Sequence, residues 1–451
     1  MFERSIIKDL KNWAARPGRK PLILRGARQV GKTSLVKMFA SDYTHFIHLN
    51  LDKKEDRKLF ENELNIHQLF DIICLQKQIK NISGNVLLFI DEIQNSPRAI
   101  TMLRYFYEEK NEIHVIAAGS LLETIFARNI SFPVGRVEYQ QVRPCSFIEF
   151  LAAMEEEKSL ELLNKLPFPE YAHEYLMQQF NNYTIIGGMP EIINTWRGTK
   201  SILGLNRIYE SLHVSYMDDV EKYAQNLTMV NVMRHILNHS FIAASSRIKF
   251  QGFGNSSYKN REMSEAFKML ERSFLIQLVY PATNTDLPLN INYRRAPKLQ
   301  VVDTGLVNYF SGIQGGLIEA NDLNDSFKGR IAKHITGQEL LTLTDSVLFK
   351  LNYWTRENKD AEAEVDFAWQ YENKVFPIEV KSGKAGKLRS LHQFVDRSPH
   401  DFAIRIYSGK FSVEDVRTIS GKKYKLINLP FYLIHKLPQY LDYCTDQNKP
   451  E

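Results

Sequence analysis

The chain has 451 residues, 44% of them hydrophobic and 24% charged, with a net charge of +6 and a pI near 8.9. That length exceeds one compact core and predicts about two to four domains of a soluble globular protein. No apolar stretch approaches the ~18–20 residues of a membrane span, and the polar start FERSIIKDLKNW after Met1 is not a secretory leader, so a cytoplasmic protein with no membrane partner is expected.

The first informative stretch is PLILRGARQVGKTSLVKMF. PLILR reads as a short apolar strand and SLVKMFA as a helix, with G-x-x-x-x-G-K-T between them. The loop from Gly26 through Ala27, Arg28, Gln29, Val30, Gly31, Lys32 and Thr33 to Ser34 has the composition and context of a phosphate-binding P-loop. Glycines let backbone N–H groups wrap the β-phosphate, and the helix N-terminus adds its positive dipole. Lys32 would reach the β- and γ-phosphates, and the Thr33 hydroxyl would ligate Mg²⁺. Farther on, NVLLFIDEIQ is a continuous apolar run, as expected of a central parallel strand, ending in two acids. Asp91 would hold Mg²⁺ through water, and Glu92 would orient and deprotonate the attacking water. HVIAAGS, residues 114–120, ends in Ser120, a candidate sensor of the γ-phosphate. Arg136 follows Gly135 in a turn and is a candidate to serve a neighbouring subunit's nucleotide; Arg128 competes for that role, and a surface arginine without one is the alternative.

GARQVGKTS, LLFIDEIQ, VIAAGS and VGRVEYQQVRPCSFIEFL together resemble the AAA-type P-loop ATPases of bacteria and archaea that carry a conserved C-terminal domain. IIGGMPEII (185–193), YMDDVEKY (216–223) and KLQVVDTGL (298–306) resemble later motifs of that group. The resemblance implies ATP and Mg²⁺ as cofactors.

Residues 151–224 are helical in pattern, as a lid beside the 1–150 core would be, and Gly187-Gly188 reads as a tight turn. Residues 225–290 resemble a winged-helix unit: VNVMRHILNHS and REMSEAFKMLERSFLIQLV are amphipathic helices flanking QGFGNSSYKNRE. Such a unit would offer Ser256, Tyr258, Lys259, Asn260 and Arg261 to DNA phosphates, with Arg294 and Arg295 as a basic rim. A protein-packing module of the same shape is the alternative.

Residues 291–451 hold AEVDFAW and KVFPIEV, two strands separated by the hairpin-sized break QYEN. Strand alternation puts Glu379 and Lys381 on one face, and antiparallel pairing would bring Asp366 beside them. HITGQELLTL (334–343) is a helix carrying Glu339. Helix Glu, strand Asp, then E-x-K resembles the active site of the PD-(D/E)XK nuclease superfamily. The resemblance implies that Glu339, Asp366 and Glu379 ligate Mg²⁺ or Mn²⁺ while Lys381 positions or activates the attacking water. Without those neighbours, Glu379 and Lys381 would be an ordinary ion pair. Residues 381–425 contain eleven Lys or Arg against four acids, a surplus of seven beside +6 for the whole chain, as a phosphate-backbone binder would.

The expected architecture is α/β: a P-loop parallel-sheet ATPase core, a helical lid, a winged-helix-like connector and a C-terminal α/β restriction-endonuclease-like domain. The expected function is an ATPase that acts on DNA, assembles as a ring or dimer, and cleaves phosphodiester bonds under ATP control. The alternative is a nucleotide-switched DNA or protein binder whose nuclease-like domain does not cut. Cys74, Cys145 and Cys444 are widely spaced, fit no metal pattern and read as reduced thiols.

Overall fold

The computed structural model describes residues 2–79, 83–119, 133–224, 226–315, 326–356, 363–383 and 388–446. Ser120, Arg128, Lys384 and Lys387 lie outside the described residues. The chain forms two compact units. One comprises Met1–Pro144 with Arg272–Phe274 and Asp345–Leu348; the other comprises Cys145–Glu271, Leu275–Thr344 and Phe349–Glu451.

The first unit is built on β1 (Leu22–Arg25), β2 (His45–Asn50), β3 (Val86–Asp91), β4 (His114–Ala118) and β5 (Glu138–Gln141). All pairings are parallel, in the order β2-β3-β4-β1-β5. β3 is buried at every position, which is why its sequence is an unbroken apolar run. Leu88 and Ile90 join Ile23, Ile47, Leu49, Ile73, Leu103 and Phe106 in one core, beneath the helices Ile66–Gln76 and Pro97–Glu109. Those helices start where the sequence places caps: Asn65 and Gln68 form a capping box, and Ser96 caps a helix with Pro97 in its first turn.

The second unit holds two sheets. β6 (Ile276–Ala282), β7 (Lys298–Val301), β8 (Asn352–Thr355) and β9 (Glu364–Val365) form one, in the order β7-β6-β8-β9. β10 (Phe367–Tyr371), β11 (Lys374–Val380), β12 (Phe402–Tyr407), β13 (Ser412–Arg417) and β14 (Lys423–Pro430) form the other, in the order β10-β11-β12-β14-β13. β10 and β11 make the expected hairpin, with Phe367 opposite Ile378 and Glu372 at φ 49° in the turn. β12 continues it in parallel after the helix Arg389–Val395.

Two features of the second unit differ from the sequence reading. β6 pairs with β7 on one side and β8 on the other, so one sheet runs across the boundary drawn at 290. The helices expected as a lid are built into this unit's core. Tyr183 and Ile186, on the helix His173–Ile186, are fully buried, and Asn308 donates to the carbonyls of Thr184 and Ile185. The Gly187-Gly188 pair is a close approach as well as a turn. Gly187 has φ 80°, the Gly188 N–H donates to Asp303 Oδ2 at 2.6 Å, and a Cβ on Gly187 would overlap the Asp303 carboxylate.

Candidate functional site

The loop after β1 turns through Gln29 at φ 65° and reaches Gly31, whose left-handed backbone (φ 94°) caps the helix Lys32–Phe39. Lys32 Nζ folds over the loop and donates to the carbonyls of Gly26 at 3.0 Å and Ala27 at 2.8 Å. Thr33 Oγ1 donates to Asp91 Oδ2 at 2.7 Å. A hydroxyl and a carboxylate converging there are hard oxygen donors, and they fit Mg²⁺, which takes few protein oxygens and completes its shell with water and phosphate. Asp91 ends β3; its Oδ1 accepts the Glu92 N–H at 3.1 Å. Glu92 sits at φ 52°, ψ 44°, a left-handed conformation that few non-glycine residues adopt. Burial raises its pKa, as do Asp91 and Asp52, against the Gln94 hydrogen bond and the Lys32 charge. A raised carboxylate at the end of this interior strand is suited to accept a proton from water. Ala27 and Val30 are buried, while Gln29 and Ser34 are exposed.

Sequence reasoning missed three neighbours of this loop. Arg4 lies just before the first helix and donates to the carbonyls of Val30 at 3.1 Å and Arg143 at 2.8 Å, bracing the P-loop from a distant part of the chain. His48 Nε2 stands 3.7 Å from Asp91 Oδ2. Gln94 donates to Glu92 Oε2. Only a parallel register pairing Asn50 with Asp91 could have pointed to His48, and no local pattern pointed to the others. Arg136 is half-buried, lies over the Tyr107 ring and pairs with Glu108 at 2.7 Å, which also takes Arg104. A surface pair of this kind is worth little and leaves the guanidinium free to exchange partners.

In the second unit the hairpin brings Asp366 opposite Glu379, as alternation and register predict. Asp366 lies at the bend where the chain passes from β9 in one sheet to β10 in the other, and both it and Glu379 are buried. Asp366 Oδ2 accepts the Val380 N–H at 3.0 Å, and Lys381 Nζ pairs with Glu379 Oε1 at 2.7 Å.

The third expected ligand is elsewhere. Glu339 accepts from the Tyr183 hydroxyl at 2.7 Å and the Phe147 N–H at 3.0 Å. The helix residue that reaches Asp366 is Lys333, with Nζ 2.5 Å from Oδ1. Six residues along a helix turn a side chain by about 240° net, so Lys333 and Glu339 serve different faces of Ser326–Leu341. Lys298 adds contacts to Glu364 at 2.6 Å and Asp366 at 3.5 Å. Burial would raise Asp366, but Lys333 and Lys298 outweigh it and hold the carboxyl below its usual range. Glu379 is pushed up to about 7, by burial first and by Asp366 second. Among the described residues no three His, Cys, Asp or Glu side chains converge to hold a metal. Among the described residues, ammonium and N–H groups engage three of the four oxygens of Asp366 and Glu379, leaving Glu379 Oε2 without a partner. The arrangement as it stands does not fit a Mg²⁺ or Mn²⁺ ion.

Glu339 instead belongs to a buried network that gathers the later sequence motifs. Gln338 Oε1 accepts from the Thr304 N–H and hydroxyl, both at 2.8 Å, and its Nε2 donates to the Tyr183 oxygen at 3.1 Å. His334 Nε2 accepts the Val301 N–H at 3.1 Å, so the ring proton is on Nδ1, 2.8 Å from Thr304 Oγ1. Burial lowers His334 to about 3 and raises Asp303 to about 6 and Glu339 to about 7.

The basic segment is less free than its charge suggests. Lys422 Nζ donates to the carbonyls of Val395 and Ser398, both at 2.7 Å, capping a helix C-terminus. Lys410, Lys425 and Arg405 pair with Glu170, Asp415 and Glu414. Arg389, Arg397, Arg417 and Lys423 are exposed. In the connector, Lys259, Asn260 and Arg261 are exposed at the start of the helix Asn260–Arg272, whereas Ser256 and Tyr258 are half-buried. Arg294 is exposed in the loop joining β6 to β7, and Arg295 donates to Thr355 and the Arg356 carbonyl.

Residues 18–151 match the family model of the AAA domain. Residues 177–316 match a domain of unknown function (DUF8612), and residues 328–432 match another (DUF4143). No curated protein matches the chain. Among solved structures it is similar to the Walker-type ATPase PABY2304 of Pyrococcus abyssi, at 14% identity and a TM-score of 0.44 over 69% of this chain and 96% of that one. It is also similar to the Aeropyrum pernix ORC1 protein in complex with DNA, at 12% identity and a TM-score of 0.28 over 69% and 93%. The Thermotoga maritima RuvB Holliday junction branch migration motor matches at 13% identity and a TM-score of 0.26 over 65% and 93%. The family match over residues 18–151, with the all-parallel sheet and glycine-rich loop described above, identifies the N-terminal part of the chain as an AAA-type P-loop domain. No described helix is long and apolar enough to cross a membrane.

Proposed function

We propose that this chain is a Mg²⁺-dependent AAA-type ATPase that acts on DNA in the cytoplasm, its nucleotide state switching how its C-terminal part engages the nucleic acid. The observation that carries the ATPase reading is the convergence of Lys32, Thr33, Asp91 and Glu92 at the ends of two parallel strands. Lys32 exchanges its loop carbonyls for β- and γ-phosphate oxygens, Thr33 and Asp91 orient the metal, and Glu92 takes the proton of the attacking water. Mg²⁺ supplies charge neutralisation on the phosphates. Arg136, half-buried and held by a surface ion pair to Glu108, is the group offered to a second copy of the chain.

Exposed cations at the head of Asn260–Arg272, with Arg294 on the β6–β7 loop, support DNA contact in a winged-helix manner. The nuclease-like site is proposed to be non-catalytic, because lysines occupy its acids and Glu339 is engaged elsewhere. The unpartnered Glu379 Oε2 favours a second reading, metal-dependent cleavage after Lys333 withdraws.

The test incubates labelled duplex, single-stranded and branched DNA with Mg²⁺ or Mn²⁺, with and without ATP. It compares wild type with Glu379→Ala and with Lys259→Ala/Arg261→Ala. The expected result is salt-dependent binding without cutting. Removing two phosphate contacts should reduce the slope of log affinity against log salt by about two. Cutting that disappears in Glu379→Ala would establish the second reading, and no DNA binding at low salt would refute the DNA assignment.

A further inference from the structure

Glu92 is held by a device that the P-loop pattern does not contain. The short turn Ile93–Asn95 follows Glu92 directly, and Glu92 enters it in the left-handed conformation. That turn brings Gln94 back beside Glu92, where the amide Nε2 donates to Glu92 Oε2. The other end of the same amide, Oε1, is buried and has no hydrogen-bond partner among the described residues. It lies against Gly119, the residue after β4, where a Cβ would overlap it. The amide orientation follows from the chemistry: the carboxylate only accepts, so the nitrogen faces Glu92 and the oxygen is left to the glycine. An unpaired amide oxygen is costly, and a glycine that makes room for it at the end of the neighbouring strand calls for a reason.

We propose that Gln94 is a positioning residue that fixes one oxygen of Glu92 and so leaves Glu92 Oε1 aimed at the attacking water, with Gly119 as the seat that allows the amide to lie there. The inference rests on the reading of Glu92 as the base for hydrolysis. The glycine of the HVIAAGS strand end thereby gains a role separate from phosphate sensing. The hydrogen bond through which Gln94 would act is the one to Glu92.

The experiment is steady-state Mg-ATP hydrolysis by wild type, Gln94→Met, Gly119→Ala, Glu92→Gln and the doubles Gln94→Met/Gly119→Ala and Glu92→Gln/Gln94→Met. Melting midpoints and ATP affinity are measured beside it. Gln94→Met keeps length and removes the amide; Gly119→Ala leaves both partners intact and pushes the amide away. Each should lower kcat about tenfold to a hundredfold, the effect of a misaimed group, with KM for ATP within about twofold. The Gln94→Met/Gly119→Ala double should be no slower than Gln94→Met, because both remove the same restraint. Gln94→Met should not change the residual rate of Glu92→Gln. Wild-type turnover in Glu92→Gln would overturn the base reading itself. Loss of turnover in Glu92→Gln with unchanged or raised kcat in Gln94→Met would overturn the positioning role alone. A further drop when Gln94→Met is added to Glu92→Gln would do the same, since it would show Gln94 acting other than through Glu92.

Discussion

Replacing Lys32 by alanine should abolish ATP hydrolysis and weaken ATP binding by about a hundredfold or more, while leaving the protein folded. Lys32 is 8% exposed, and its ammonium spans the carbonyls of Gly26 and Ala27. Those two acceptors hold the lysine where phosphate oxygens would compete for it. Two charge-assisted hydrogen bonds to phosphate, at about 1.5–3 kcal/mol each, account for a loss of that size. The cost to stability is smaller, on the order of 1–2 kcal/mol, because the bonds lost are to loop carbonyls that water can reach once the side chain is gone. Calorimetric titration with Mg-ATP and a phosphate-release assay measure the two effects. Binding within threefold of wild type would refute the role of this loop as the nucleotide site.

Glu339→Gln should flatten the pH dependence of the second unit's stability. Burial raises Glu339 from 4.5 to about 7, with Glu149 adding to the rise and the Tyr183 and Phe147 hydrogen bonds opposing it. The folded state therefore binds this proton more tightly than the unfolded state. The resulting stability is fully present below about pH 4.5 and is lost as pH rises through 7. About 2.5 kcal/mol separates pH 5 from pH 8 on this account, in favour of pH 5. Asp303, raised to about 6 by burial, contributes in the same direction. His334, lowered from 6.5 to about 3 by burial, acts in the opposite direction: it stays neutral when folded while the unfolded chain takes up a proton, so its contribution is lost as pH falls through 6.5, and only the comparison with the glutamine variant isolates the Glu339 share. A glutamine at 339 keeps an oxygen to accept from Tyr183 and Phe147 but has no proton to lose. Urea unfolding of wild type and Glu339→Gln at pH 5 and pH 8 measures the difference. Equal pH dependence in the two proteins would refute the assignment.

What was legible in the sequence is what depends on nearby residues. The P-loop and its flanking strand and helix are contiguous, so composition and backbone geometry over residues 22–39 are enough to specify them. Asp91 and Glu92 were found because a strand buried on both faces must be apolar until it ends. Asp366 opposite Glu379 followed from strand alternation and a two-residue turn, both local rules. Tertiary structure decided the rest. The rotation of helix Ser326–Leu341 about its own axis, which periodicity cannot relate to a distant sheet, gave Asp366 a lysine for a neighbour and turned Glu339 toward Tyr183. The same holds for the basic segment, where charge was countable but the acids and carbonyls that engage it were not. Arg4 reaches the P-loop, and the Gln94 amide meets Gly119, across separate elements. Strand order and helix phase fix such meetings, and a hydrogen bond between residues far apart in sequence leaves no spacing to read.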